Sequence, residues 1–239
     1  MLLENIRFEE HQAAKVEIHS NDEISSALKM LGFDKKLPVI VVIGGAGGVR
    51  EEDWEPIRKA MDTIGLVAHE AGATIVDGGT DSGVMAINGE VRIKKGYTYP
   101  LIGVAAVGTV KWPGRKLTLD EQNALNEYAG PLDPNHTHFI LTPGNEWGDE
   151  SPWLAEIATQ LSGNKPSVAV LINGGNISRD QDVPNNMKAG RPVLVIEGTG
   201  RAADEFATQR PSTKLMQFIH VSDPDILGEK LKQHLQPAA

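Results

Sequence analysis

The sequence predicts a doubly wound α/β fold, a mostly parallel sheet of about seven strands with helices on both faces. Three observations carry that prediction. Short β-branched apolar runs such as Val39-Ile-Val-Val-Ile43, Ser167-Val-Ala-Val-Leu-Ile172 and Val193-Leu-Val-Ile196 read as strands buried on both faces. The segments between them carry apolar residues at helical spacing, which implies right-handed crossovers to parallel neighbours. Four of the strands end in glycine turns, at Gly44–Gly48, Gly78–Gly83, Gly174–Gly175 and Gly198–Gly200.

Taken in order, residues 1–37 read as an N-terminal appendage. It holds a strand at Ala14–His19 and a helix over Asp22–Leu31, capped by Asn21 and closed by Gly32. Residues 38–239 read as a single domain. Val39–Ile43 is its first strand, and Glu51–Ala71 is a helix with Trp54, Ile57, Met61, Ile64 and Val67 along one stripe, ended by Gly72. Thr74–Val76, the helix Val84–Lys95 and the strand Leu101–Val107 follow, and 108–136 is the least regular part. His138–Leu141 is a strand, and Ser151 is placed to cap a helix reaching Leu161. Strand Ser167–Ile172, a weak helix to Lys188, strand Val193–Ile196 and a helix from Arg201 come next, then strand Met216–Val221 and helix Asp223–Leu235.

Composition excludes several classes of function. A chain of 239 residues with 40% hydrophobic and 23% charged residues is ordinary for a globular protein with one large core. The net charge of −9 argues against unselective binding to nucleic acid or an anionic membrane, because either needs a basic face. With no cysteine there is no disulfide, thiolate nucleophile or cysteine-based zinc site. The start, Met1-Leu-Leu-Glu-Asn-Ile-Arg-Phe-Glu-Glu, is too acidic for a signal peptide, and no run is long and apolar enough for a membrane span. The expectation is a cytoplasmic protein whose partner is a small-molecule nucleotide, with no cofactor and no metal. A homo-oligomer is compatible with this reading.

In a parallel sheet all strand C-termini lie along one edge, the usual ligand crevice of open α/β folds. The four turns therefore converge, and their exposed N–H groups suit an anion. The candidate nucleotide-binding residues are Gly44, Gly45, Ala46, Gly47 and Gly48 in the first turn and Gly78, Gly79, Thr80, Gly83, Val84 and Met85 in the second. Gly174, Gly175 and Asn176 supply the third, and Gly198, Thr199 and Gly200 the fourth, with Arg201 placed to close on the same anion.

Standard motifs fail. Reading Gly-x-Gly-x-x-Gly from Gly45-Ala-Gly47 puts Arg50 at the third glycine, and Gly78-x-x-x-x-Gly83 is followed by Val84-Met85 where a Walker loop needs lysine and a hydroxyl. Neither a Gly-x-Ser-x-Gly elbow nor a His-Glu-x-x-His pair occurs, and His136-Thr-His138 has no partner carboxylate at metal-site spacing. Trp112, in Lys111-Trp-Pro-Gly114, either stacks a base or anchors its long loop.

Val193-Leu-Val-Ile-Glu-Gly-Thr-Gly-Arg-Ala-Ala-Asp204, Gly78-Gly-Thr-Asp-Ser-Gly-Val-Met85 and His136-Thr-His-Phe-Ile-Leu141 together resemble the N-terminal cytosolic region of TRPM channels. They resemble in particular its stand-alone bacterial relatives, the TRPM-like LSDAT branch of the SLOG superfamily, over roughly residues 37–222. The resemblance implies a Rossmann-like domain that binds ADP-ribose or a related NAD-derived nucleotide. It also implies that Gly78, Gly79, Thr80, Gly83 and Val84 surround the nucleotide while Gly198, Gly200 and Arg201 hold phosphate. More distantly the chain resembles the LOG-type phosphoribohydrolases, formerly called lysine decarboxylases, whose Pro-Gly-Gly-x-Gly-Thr-x-x-Glu motif carries a catalytic glutamate. The matching stretch here, Asn173-Gly-Gly-Asn-Ile-Ser-Arg-Asp-Gln181, has isoleucine for the third glycine and neutral Gln181 for the acid. Cleavage of an N-glycosidic bond needs a carboxylate beside the oxocarbenium-like centre. Asp180 or Asp182 fills that role only with the turn offset by one residue, and Asp77, Glu90 and Glu197 are the other acids read onto the rim. After Trp147 the chain is acidic and lacks the arginines that help hold pyrophosphate in the channel domains.

Overall fold

The computed structural model describes residues 1–236. Chain order runs β1 (Leu3–Arg7), β2 (Gln12–Glu17), α1 (Ile24–Met30), β3 (Val39–Gly44), α2 (Trp54–Ala71), β4 (Thr74–Asp77), α3 (Gly83–Lys95) and β5 (Leu101–Ala106). It continues through β6 (Val110–Lys111), α4 (Leu119–Ala124), β7 (Gly130–Pro131), β8 (His138–Thr142), α5 (Ser151–Ser162) and β9 (Ser167–Ile172). The last elements are α6 (Val183–Lys188), β10 (Val193–Glu197), α7 (Arg201–Gln209), β11 (Met216–His220) and α8 (Pro224–Leu235).

Nine strands form the main sheet in the order β1-β2-β8-β5-β4-β3-β9-β10-β11, and all pairings except β1 with β2 are parallel. The sheet is wider than the sequence suggests because the segment read as an appendage joins it: β2 pairs with β8, with Ala14 opposite His138. β1 escapes recognition because only Ile6 of its five residues is buried. The region 108–136 also holds a two-stranded β6–β7 ladder and α4, which Thr118 and Glu121 cap reciprocally.

Strand residues alternate between two cores, as the period of two requires. Ile40 and Val42 face α2, α3 and α8 among Ile57, Met61, Ile64 and Leu231, whereas Val39, Val41 and Ile43 face α1 and α5 among Leu28, Ile157 and Leu161. Both faces are covered, so the central strands are apolar throughout. Helix α2 ends at Gly72 in a left-handed conformation, φ 60°, as read from the sequence. Among the described residues no helix is long and apolar enough to cross a membrane.

The chain order sets the ligand edge. From β3 it runs outward through β4, β5 and β8, then returns by α5 to β9 on the other side of β3. The strand order therefore reverses between β3 and β9, and in such sheets the crevice opens at that point.

Candidate functional site

A cleft of about 460 Å³ opens beyond the C-terminal ends of β3, β4 and β9. Of the residues named from sequence, Gly44, Gly45, Ala46, Gly47, Gly78, Thr80, Met85, Gly175, Asn176 and Arg201 line it. The others sit behind it or beside it, and packing explains their positions.

Gly83 and Val84 lock the first two turns together. The Val84 N–H donates to the Gly45 carbonyl at 3.1 Å, and a Cβ on Gly83 would lie 2.0 Å from the same oxygen. Gly44 is bare because a Cβ there would lie 2.4 Å from Val84 Cβ. Gly79 faces away, packed on Gly103 and Phe139. Gly48 flanks the Arg201 side chain, and Gly174, at φ 70°, packs on Leu171 and Ser178.

The fourth turn is satisfied from within the chain. Asp204 accepts from the N–H groups of Gly198 and Gly200, at 2.7 and 3.1 Å, so its carboxylate occupies the donors that sequence reasoning assigned to phosphate. Buried Thr199 receives the Asn173 N–H on its hydroxyl at 2.8 Å, and the Asn173 amide donates to the Thr199 carbonyl at 2.7 Å. The third and fourth turns are thus zipped, and only Arg201 reaches the cleft from the fourth. Its guanidinium donates to the Gly47 carbonyl and approaches Asn173 Oδ1 at 3.5 Å. Arg201 and Asn173 both have positive φ, 52° and 56°, a conformation that asparagine adopts readily but that is uncommon for arginine.

The first turn differs from the fourth. Among the described residues no acceptor takes the N–H groups of Ala46, Gly47 or Gly48, and all three residues are exposed, whereas buried Gly45 follows the last pair of the β3–β9 ladder, Gly44 with Ile172. Arg201 lies against this same turn, its guanidinium on the Gly47 carbonyl and beside Gly45 and Gly48.

Of the acids named from sequence, Asp182 lines the cleft and the others lie elsewhere. Glu90 on α3 pairs with Lys94 and with Arg58 of α2, Asp180 pairs with Arg179, and Glu197 pairs with Arg210. Buried Asp77 accepts from the Gly79 N–H and the Asn88 amide, both at 2.8 Å, and holds His136. His136 bridges two carboxylates, Nδ1 at 2.7 Å from Asp133 and Nε2 at 2.8 Å from Asp77. Burial pushes this imidazolium down, but Asp77 and Asp133 push it further up, to about 9. His138 points instead to the Thr137 hydroxyl and the Phe33 ring. Trp112 lies away from the cleft between Lys15 and Arg115, which makes it a loop anchor.

Two carboxyls that do line the cleft are Glu150 and Asp182. Burial pushes Glu150 up to about 7, against hydrogen bonds from its own and the Gly148 N–H and with support from nearby Asp182 and Asp149. Burial likewise pushes Asp182 up to about 6, although the Ser151 and Ser178 hydroxyls donate to it. Ser151 is therefore not the cap of α5; it is the first helical residue and serves Asp182. Asp182 reaches the cleft because Ser178–Asp182 forms a π-helical turn, which takes one more residue per turn than an α-helix. Trp147, Met85 and Leu154 give the cleft an apolar side. Glu150 and Trp147 went unnamed because nothing local marks them; the return of α5 across the sheet brings them in.

Sheet order, covered faces and a crevice at the strand reversal define a Rossmann-like α/β protein. The family model described as "SLOG in TRPM, prokaryote" matches residues 37–233, and the chain belongs to that family. It is 29% identical over 201 residues to transient receptor potential cation channel subfamily M member 2 of Mus musculus, covering 70% of this chain and 13% of the channel. It is 27% identical over 237 residues to subfamily M member 6 of Homo sapiens, covering 87% of this chain and 11% of that protein. The solved structure of TM1055 superposes with a TM-score of 0.51 at 15% identity, covering 81% of this chain and 99% of that one, a likeness of fold.

Proposed function

We propose that the cleft binds a nucleoside phosphate, an NAD-derived nucleotide of the ADP-ribose type. One observation carries the reading: exposed N–H groups without acceptors, in the turn Ala46–Gly48, lie beside the guanidinium of Arg201 at the point where the strand order reverses. The phosphate lies between them, displacing Arg201 from the Gly47 carbonyl. The base packs on Trp147, Met85 and Leu154. A charge-assisted hydrogen bond contributes about 1.5–3 kcal/mol, so Arg201→Ala weakens affinity about ten- to a hundredfold. Titration calorimetry with ADP-ribose, NAD, cyclic ADP-ribose and AMP tests this. Absence of heat with all four, or an Arg201→Ala variant that binds as tightly as the parent, refutes it.

A second reading, hydrolysis of the N-glycosidic bond of a nucleoside monophosphate, is favoured by the π turn that carries Asp182 into the cleft. Asp182 would stabilise positive charge at the ribose, with Glu150 as the group that exchanges a proton near neutral pH. Chromatography of AMP incubated with the protein would show free adenine, lost in Asp182→Asn; no adenine from the parent protein rejects it.

A further inference from the structure

Outside the cleft, the turn of the β1–β2 hairpin and the β6–β7 ladder line a second, open cavity of about 540 Å³. The second glycine turn borders both spaces, with Thr80 lining the cleft and its neighbour Asp81 lining this cavity. The wall is apolar and built on a firm base. Leu132 is buried, and Phe8 lies 6.4 Å from Phe139, which belongs to the core cluster beneath. Pro131 and the edge of Trp112 complete it, the ring faces being held by Lys15 at 4.9 Å and Arg115 at 4.3 Å.

The rim has the opposite character. Glu9, Glu10 and Asp81 stand there against one ammonium, Lys111. All three acids are exposed, and among the described residues none has a hydrogen-bond or ion-pair partner for its carboxylate. Asp133 adds to the negative field behind Asp81, partly countered by His136. An occupant must satisfy wall and rim together. A phosphate or carboxylate meets like charge, and a bare cation leaves the apolar wall wet. A neutral apolar molecule leaves the carboxylates unanswered. We propose that this cavity binds a small organic cation, its ammonium among Glu9, Glu10 and Asp81 and its apolar body on Phe8, Leu132 and Pro131.

The test uses the full chain at low ionic strength with two probes of the same shape and opposite charge, 4-phenylbutylamine and 4-phenylbutyrate. The readout is the indole N–H resonance of Trp112, assigned with Trp112→Phe. The amine is expected to shift that resonance saturably, and the carboxylate to bind at least about tenfold more weakly. Replacing the three exposed acids together, Glu9→Gln, Glu10→Gln and Asp81→Asn, is expected to weaken the amine about tenfold, since each screened pair contributes modestly. Unchanged Trp54, Trp147 and Trp153 resonances in that variant verify its fold. Equal binding of both probes, a triple variant that binds the amine as well as the parent, or a shift at Trp147 without one at Trp112 overturns the proposal.

Discussion

The buried Asp77–His136–Asp133 bridge makes folding stability fall in alkaline solution by an amount that the structure sets. Carboxylates only accept, so a ring held by two of them at 2.7 and 2.8 Å carries a proton on each nitrogen. Raising the imidazolium from 6.5 to about 9 in the folded state corresponds to about 3 kcal/mol of stability. The sign follows from linkage. The folded state holds the proton more tightly, so the contribution is complete below pH 6.5, shrinks as pH rises, and is gone above about pH 9. Tyr97, pushed up to about 12 by burial and by Asp62, ionises outside this window, whereas Glu150, pushed up to about 7 by burial, adds to the loss only at its lower end. The assay is urea unfolding of the parent protein between pH 6.5 and 10, with nitrogen chemical shifts of the His136 ring at pH 7.5. The expected result is a progressive loss of about 3 kcal/mol and a ring protonated at both nitrogens. His136→Gln removes one donor and the positive charge, so it should cost about 3–5 kcal/mol and flatten the profile. A flat profile in the parent protein, or a neutral ring at pH 7.5, refutes the reasoning.

Three further outcomes are expected. Gly83→Ala meets both a positive φ of 53° and the Gly45 carbonyl 2.0 Å from the new Cβ; it should destabilise the fold by about 3 kcal/mol or more in urea titrations and weaken nucleotide binding by shifting the first turn. Glu150 and Asp182 lose negative charge as pH falls through about 7 and about 6, so affinity for an anionic nucleotide should rise between pH 8 and 6 in calorimetry, and Glu150→Gln should flatten the upper part of that rise. Asp204→Ala exposes the N–H groups of Gly198 and Gly200; it should cost about 2 kcal/mol in denaturant unfolding and speed hydrogen exchange at those two amides.

Much of the architecture is legible in the chain because its central strands are covered on both faces. Strand Ser167–Ile172 is recovered residue for residue, and the helix stripe from Trp54 to Val67 maps onto α2. Strand β1 is not legible, since an edge strand with one buried residue leaves no pattern, and the two-residue β6 and β7 are shorter than any periodicity. Composition and periodicity are local, and so is a glycine turn, which is why all four turns are found but their states are not. Whether their N–H groups are free depends on residues distant in the fold or on a neighbouring helix: Asp204 fills the Gly198–Gly200 turn, while nothing among the described residues fills Ala46–Gly48.

The sequence by itself determined the parallel α/β layering, the convergence of glycine turns at one edge and the place of Arg201, because each follows from residue type and spacing along a continuous segment. Only the tertiary structure decided which turn offers free donors and which carboxyls face the cleft. Glu150 arrives through the crossover of α5, and Asp182 through one π turn in place of an α turn. A rotation of one residue changes which side chain points inward without changing any spacing in the chain.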